Sequence, residues 1–362
     1  MTATEHALVC TKPDAPRHSR IARVLPGLGL AVAVAVIATW LGHLAPIVGG
    51  PVFGIVLGVL AATFIPPFHG TRWRPGYAVA SKPVLQLSIV VLGTGLSLQQ
   101  VVRVGGDSLP VMLGSLTAAL AGAWLFGRLL GVRGNTQILI GVGTGICGAS
   151  AIAATTSVIK AKQVEVAYAI GTIFTFNIAA VLLFPLVGHL LGMSPHSFGL
   201  WAGTAINDTS SVVAASFAYG GGAGSYGIVI KLTRTLMLIP IVIGLAAFTA
   251  RREARTAASG EGDVVPGFSL RAMPWRKIVP VFLIGFLAAA ALDSIGVIPA
   301  GWHSPLSTFG TFLITTALAG IGLSMRLADM RRAGHRPVLL GAVLWATVAL
   351  SSLALQALTG TL

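Results

Sequence analysis

Eleven apolar stretches, most of them near the length that a helix needs to cross a bilayer, follow one another along this 362-residue chain with little between them. Crossing takes about 20 apolar residues as helix. The stretches are 22–44, 49–65, 78–97, 109–132, 136–160, 165–192, 196–219, 224–249, 276–298, 306–325 and 338–360. A bilayer core offers backbone groups no water, so segments of this length satisfy their own hydrogen bonds as helices. The expected fold is therefore an all-α polytopic membrane protein with about eleven transmembrane helices. The composition agrees, with 55% hydrophobic and only 9% charged residues and a mean hydropathy of +0.87. A soluble domain carries about 25% charged residues.

The remaining segments divide the chain. Residues 1–21 form a polar, basic cytoplasmic tail, and 22–362 the transmembrane domain. Within it, 49–192 and 196–362 are the expected repeat halves, with a flexible cytoplasmic linker at 250–276. The first apolar run is too long for a signal-peptide core and ends in no small-residue cleavage site, so it is expected to stay as an anchor. The formal charge of +14 would suggest nucleic acid in a soluble protein, but these basic residues sit in short loops without interleaved aromatics. They serve orientation instead. If every segment crosses once, nineteen basic residues fall on the side of the N-terminus and three (Arg103, Lys160, Lys162) on the other. That bias places the N-terminus in the cytoplasm and the C-terminus outside. A rival count makes segments five and seven re-entrant hairpins and gives twenty-one against one. It ranks second here, because 25 residues are tight for a hairpin.

Two basic residues belong to no loop. Lys231 and Arg234 lie within segment eight, three apart on one helix face. Asp208 lies near the middle of segment seven. A charge at the centre of a bilayer costs about 2.5 to 3.5 kcal/mol on insertion scales, so three together call for a reason. A structural ion pair is the plainer one. Pairing Asp208 with one cation, however, leaves one positive charge over, which suits an anion and not a bare metal ion. Arg234 offers a planar fork for an oxyanion, and Asp208 can couple transport by gaining and losing a proton.

Segment five carries Gly141, Gly143, Gly145 and Gly148, followed by Ser150. Close helix packing through small residues would explain the glycines. A helix broken near Gly145 to Gly148 would also explain them, and the half starting at Ala149 would then point its positive end at an anion. Thr315, Thr316, Gly320 and Gly322 make segment ten a possible partner. The candidate substrate contacts are Thr144, Cys147, Gly148, Ser150, Asn207, Thr209, Ser210, Lys231 and Arg234, with Asp208 as the coupling residue. Asn177 is a further uncharged donor. No metal site and no cofactor are expected: Cys10 and Cys147 are the only cysteines and have no ligand spacing.

Two internal echoes stand out. Gly95-Leu96-Ser97-Leu98 with Pro110 recurs as Gly322-Leu323-Ser324-Met325 with Pro337, on segments that run antiparallel, as an inverted repeat requires. Gly143-Thr144-Gly145-Ile146-Cys147-Gly148-Ala149-Ser150 recurs as Gly203-Thr204-Ala205-Ile206-Asn207-Asp208-Thr209-Ser210, on segments expected to run parallel. The two echoes imply different registers.

One enzymatic reading competes. Gly148-Ala149-Ser150-Ala151 resembles the GxSx of rhomboid intramembrane proteases, which needs a histidine base near the serine. His189 is the sole deep candidate, expected near the cytoplasmic end of segment six, and leaves Lys231 and Arg234 unexplained. The remaining histidines, like Trp40, Trp73, Trp201 and Trp275, lie near segment ends.

Val91-Leu92-Gly93-Thr94-Gly95-Leu96-Ser97-Leu98, the run from Gly145 through Cys147 to Ala154, Gly203 to Thr209, and Lys231-Leu232-Thr233-Arg234 together resemble the YeiH-type sulfate exporters, from about residue 25 to the C-terminus. That family looks distantly related to the cation/proton antiporter and bile-acid symporter group. The resemblance implies inverted repeats, two crossing discontinuous helices and elevator-type alternating access. We therefore expect a secondary transporter of sulfate, a sulfonate or another small anion, coupled to protons or sodium. It is not an enzyme in this reading, and works as a homodimer in the cell's inner membrane. An anion channel is the nearest alternative.

Overall fold

A computed structural model describes residues 17–44, 49–258, 280–324 and 335–362. Cys10, most of the 250–276 linker and the basic residues from Arg326 to Arg332 lie outside the described residues. Among the described residues every regular element is a helix. In order these are α1 (Arg17–Leu44), α2 (Gly49–Phe64), α3 (Arg74–Val79), α4 (Leu85–Gly93), α5 (Leu98–Asp107), α6 (Leu109–Leu129), α7 (Asn135–Gly145) and α8 (Ala149–Ile159). There follow α9 (Gln163–Leu190), α10 (Pro195–Ala205), α11 (Thr209–Tyr219), α12 (Ala223–Leu236), α13 (Leu238–Ala258), α14 (Val281–Ser294), α15 (Ala300–Ser324) and α16 (His335–Thr359).

Among the described residues, seven stretches are long and apolar enough to cross a membrane: Ala22–Leu44, Arg74–Gly93, Leu109–Leu129, Gln163–Leu190, Ala223–Thr249, Ala300–Ser324 and His335–Thr359. The expected count of eleven is not reached by this measure for two reasons. Helices α2 and α14 are apolar but only 16 and 14 residues long. Segments five and seven, in turn, are each two short helices and not one of spanning length.

Segment five folds back on itself. Helices α7 and α8 have 11 residues each, about 16 Å of helix and half a bilayer core. A Cβ on Gly143 in α7 would meet Ile152 of α8 at 3.0 Å, a contact that a straight helix could not bring about. Asn135, at the start of α7, donates to Glu165 Oε2 at 3.1 Å, and the same oxygen accepts from Lys162 N at 2.7 Å, just beyond α8. The two ends of the segment therefore lie side by side, with Lys160 and Lys162 on the face where α7 enters.

Segment seven does the same. Phe198 near the start of α10 stacks on Tyr219 at the end of α11, ring centroids 3.9 Å apart, and the Tyr219 hydroxyl donates to Met193 O. The 28 residues of α9, about 42 Å of helix, separate the base of the first hairpin from that of the second. The hairpins thus enter from opposite ends of the bundle. This corrects two expectations. The discontinuous helices do not cross but turn back. The second echo relates antiparallel elements. His189, at the far end of α9 from Gln163, stacks on Tyr219 (4.2 Å) and so sits at the base of the second hairpin. The second echo also extends further than its eight residues: Asn135, Ala149 and Gln163 open their helices sixty residues before Pro195, Thr209 and Ala223 open theirs.

The helices form two packed groups. In one, α1, α2, α3, α4, α14 and α15 assemble through small residues. A Cβ on Gly58 would lie 2.6 Å from Ala319 O, and one on Gly322 2.5 Å from Ile55 O. This close backbone approach accounts for the small residues of segment ten, including Gly322, as packing against α2. In the other group, α6, α9, α12, α13 and α16 enclose both hairpins. Gln137 of α7 donates to Ala123 O of α6 at 2.8 Å, and Trp201 of α10 to Ala349 O of α16 at 3.1 Å.

Between the groups runs α5, which falls in the gap between the third and fourth apolar segments. Ser97 and Gln100 close a capping box at its start, each accepting from the other's backbone N–H at 3.1 Å. Its first amide, Leu98 N–H, donates to Ser294 Oγ of α14 at 2.6 Å. The Ser97 of the first echo is therefore a helix cap. Helices α3 and α4 are joined by a π turn, Ala80–Val84. Pro83 has no N–H to give there, and the wider turn accommodates its ring.

Candidate functional site

The tips of the two hairpins meet in the middle of the bundle. A Cβ on Gly148, at the first tip, would lie 3.1 Å from Asp208 Cβ, at the second. Gly148 has φ +65°, where an L side chain is strained, and this conformation turns the chain from α7 into α8. Each tip exposes the carboxyl end of one short helix and the amino end of the next, so four helix termini with opposite partial charges converge here.

The carboxyl ends are neutralised by the two buried cations. Lys231 Nζ donates to Ile146 O and to Ile206 O, both at 2.7 Å, one carbonyl from each tip. Arg234 Nη1 donates to Thr204 O of α10. Both side chains are 0% exposed, and among the described residues neither forms an ion pair. The expected pairing of Asp208 with one of them is not found. Asp208 instead caps α11, its Oδ1 accepting from Ser211 N–H at 3.3 Å. Both cations face helix carbonyls, and Arg234 Nε and Nη2 are buried without a hydrogen-bond partner among the described residues.

Of the two amino ends, that of α11 is capped by Asp208 and that of α8 is open. Helix α8 has no side-chain cap, and the N–H groups of its first turn have no backbone acceptor within the helix. Ala149 and Ser150 of that turn line a cavity of about 940 Å³ between the two helix groups. Cys147, Ala149, Ser150, Asp208, Thr209 and Ser210 line its deep end. Lys231 and Arg234 do not line it, nor do Thr144 and Asn207, which are each 1% exposed. Thr144 Oγ1 and Asn207 Oδ1 are buried without a hydrogen-bond partner. The structure therefore splits the sequence-derived set. Cys147, Ser150, Thr209 and Ser210 share the cavity with Asp208, and Gly148 shapes the tip beside it. Thr144, Asn207, Lys231 and Arg234 stand behind the tips as support.

Other cavity residues were not singled out from the sequence. Lys82 and Gln86, on the π turn and α4, lie one helical turn apart, which is a signal that could have been read from their spacing. Asn177 of α9, the further uncharged donor expected from the sequence, lines the cavity too. It is 4% exposed, and its Oδ1 has no partner. The mouth carries Lys82, Gln163 and Ser324, so it lies toward the end at which the first hairpin has its base.

Comparison with known proteins places this geometry in a family. Residues 26–341 match the family model described as "Conserved hypothetical protein 698". A UPF0324 membrane protein of Streptococcus pyogenes serotype M6 is 43% identical over 340 residues, covering 92% of this chain and 97% of the relative. The chain belongs to the UPF0324 membrane protein family. Further UPF0324 relatives occur in Streptococcus mutans, 39% identical over 344 residues, and in Streptococcus pneumoniae, 37% identical over 342. Both alignments cover at least 92% of this chain and 97% of the relative. This UPF0324 protein is thus a multi-pass membrane protein, and its hairpins and cavity fall within the matched residues.

Proposed function

We propose that this UPF0324 protein is a secondary active transporter of a small anion of the sulfate or sulfonate type. The observation that carries this reading is the open amino end of α8, which meets a cavity at the boundary between two helix groups. Broken backbone at membrane depth is tolerated where it lines a cavity, and transporters place substrate sites at such half-helix termini. The anion is held by the first-turn amides of α8 with the Ser150, Thr209 and Ser210 hydroxyls.

Asp208 supplies the coupling. Its carboxylate borders the same space and repels a bound anion. A proton on Asp208, or a sodium ion beside it, removes that repulsion, so anion and cation load together. The hairpin-bearing group then moves against the other, elevator fashion, with α5 as a connecting arm. The sixty-residue recurrence reads as an inverted duplication, one hairpin for each side.

With both segments as hairpins, twenty-one loop cations lie on the N-terminal side and Arg103 on the other. That favours a cytoplasmic N-terminus, an external C-terminus and a cavity open to the cytoplasm. We read the protein as a non-enzymatic homodimer of the inner membrane, needing no cofactor. Purified protein in liposomes is expected to take up labelled sulfate or sulfonate in response to a pH or sodium gradient. Flux that ignores both gradients and appears as conductance would make it a channel. No uptake of either anion under any gradient would reject the anion reading.

A further inference from the structure

The cavity is much larger, and more apolar, than an inorganic anion needs. Beyond the hairpin tips its walls are built from Leu85 and Ile89 of α4, Phe174 and Ile178 of α9, Phe282 of α14 and Ile321 of α15. Its 940 Å³ lies at the upper end of the roughly 300 to 1,000 Å³ typical of pockets for organic ligands. Such walls would strip water from a sulfate ion without returning hydrogen bonds, which is costly. The same walls favour a ligand that carries apolar surface of its own.

The polar groups divide between the mouth, with Lys82, Gln163 and Ser324, and the hairpin tips. The first turn of α8 and the Ser150 hydroxyl lie at the tips, and Asn177, 4% exposed, adds a buried amide that can donate from its nitrogen. The first turn of α11 is already occupied by Asp208. One uncapped helix end therefore remains for one negatively charged head. From this division we infer that the substrate is an amphiphilic organic monoanion. Its sulfonate or carboxylate head sits at the start of α8, and a small apolar body lies along Phe174, Ile178 and Phe282. This rests on the anion-transport reading and narrows its substrate class.

The test is thermal stabilisation of the purified full chain by sulfate, methanesulfonate and the linear alkanesulfonates up to hexanesulfonate. Alkyltrimethylammonium ions of matched length serve as controls. Affinity is expected to rise about fourfold for each added methylene that is buried, and sulfate is expected to be the weakest ligand. Phe174→Ala, at a side chain that is 52% exposed, is expected to flatten the rise while leaving the unliganded melting temperature close to that of the wild type. Sulfate binding with no dependence on chain length would overturn this inference and leave the anion reading standing. Equal stabilisation by the cationic series would overturn it as well, by showing that the head does not matter. No response to any anion would remove both readings together.

Discussion

The Lys231 ammonium donates to Ile146 O at 2.7 Å while holding Ile206 O at the same distance, so one side chain ties together the tips of two hairpins. Without it, two carbonyls at helix carboxyl ends would be buried unpaired. Each such group costs about 1 to 3 kcal/mol, and hydrogen bonds to a charged donor are the stronger kind. Lys231→Met is therefore expected to lower stability by about 2 to 5 kcal/mol, relief of the buried charge offsetting part of the loss. Denaturation followed by intrinsic fluorescence would measure it. A variant as stable as the wild type would remove the tie from the account.

The hairpin at 135–159 makes a prediction about sides. In a background with Cys10 and Cys147 replaced, Arg133→Cys and Lys162→Cys are expected to react with an impermeant thiol reagent from the same face of the membrane. A segment that crosses once would expose them on opposite faces.

Asp208→Asn separates the two roles of this residue. Asparagine is as good a helix cap as aspartate, so α11 and the fold are expected to survive. The side chain can no longer take up a proton, and anion transport is expected to lose its dependence on pH. Sign follows from the repulsion argument: in the wild type, acid on the loading side promotes uptake, and in the variant that slope disappears. An unchanged pH profile would move the coupling elsewhere.

Gly148→Ala tests the turn itself. A non-glycine residue at φ +65° costs about 1 to 2 kcal/mol, and the added methyl would press on Asp208 Cβ at 3.1 Å. Reduced stability and weaker anion binding together are expected. A neutral substitution would mean that the tip is not tightly set.

Much of this was legible in the sequence, because apolar length and glycine content are local properties. The break at Gly145 to Gly148 follows from glycines that a helix does not favour, and the second break appeared only in the rival charge count, which ranked second. The direction of the chain after each break was not legible. Whether α8 continues α7 or returns along it depends on contacts such as Asn135 with Glu165, thirty residues apart. The expected pairing of Asp208 with Lys231 or Arg234 went astray for a related reason. A buried cation was read as needing a counter-ion, and Asp208 was at hand. Helix carbonyls can meet the same need, and only the fold shows that four of their termini converge on one place. Lys82 was overlooked because it is attached to a loop in sequence, though its side chain borders the cavity.

The central claim is that the amino end of α8, and not the buried cations, holds the anion. Ser150→Asp tests it most directly, since a carboxylate at that position occupies the helix end itself and favours the helix. The measurement is the rise in melting temperature on adding sulfonate, which reports binding by mass action. We expect the unliganded variant to melt no lower than the wild type and the sulfonate shift to be abolished. A full sulfonate shift in Ser150→Asp, together with loss of the shift in a folded Arg234→Gln protein, would contradict the account.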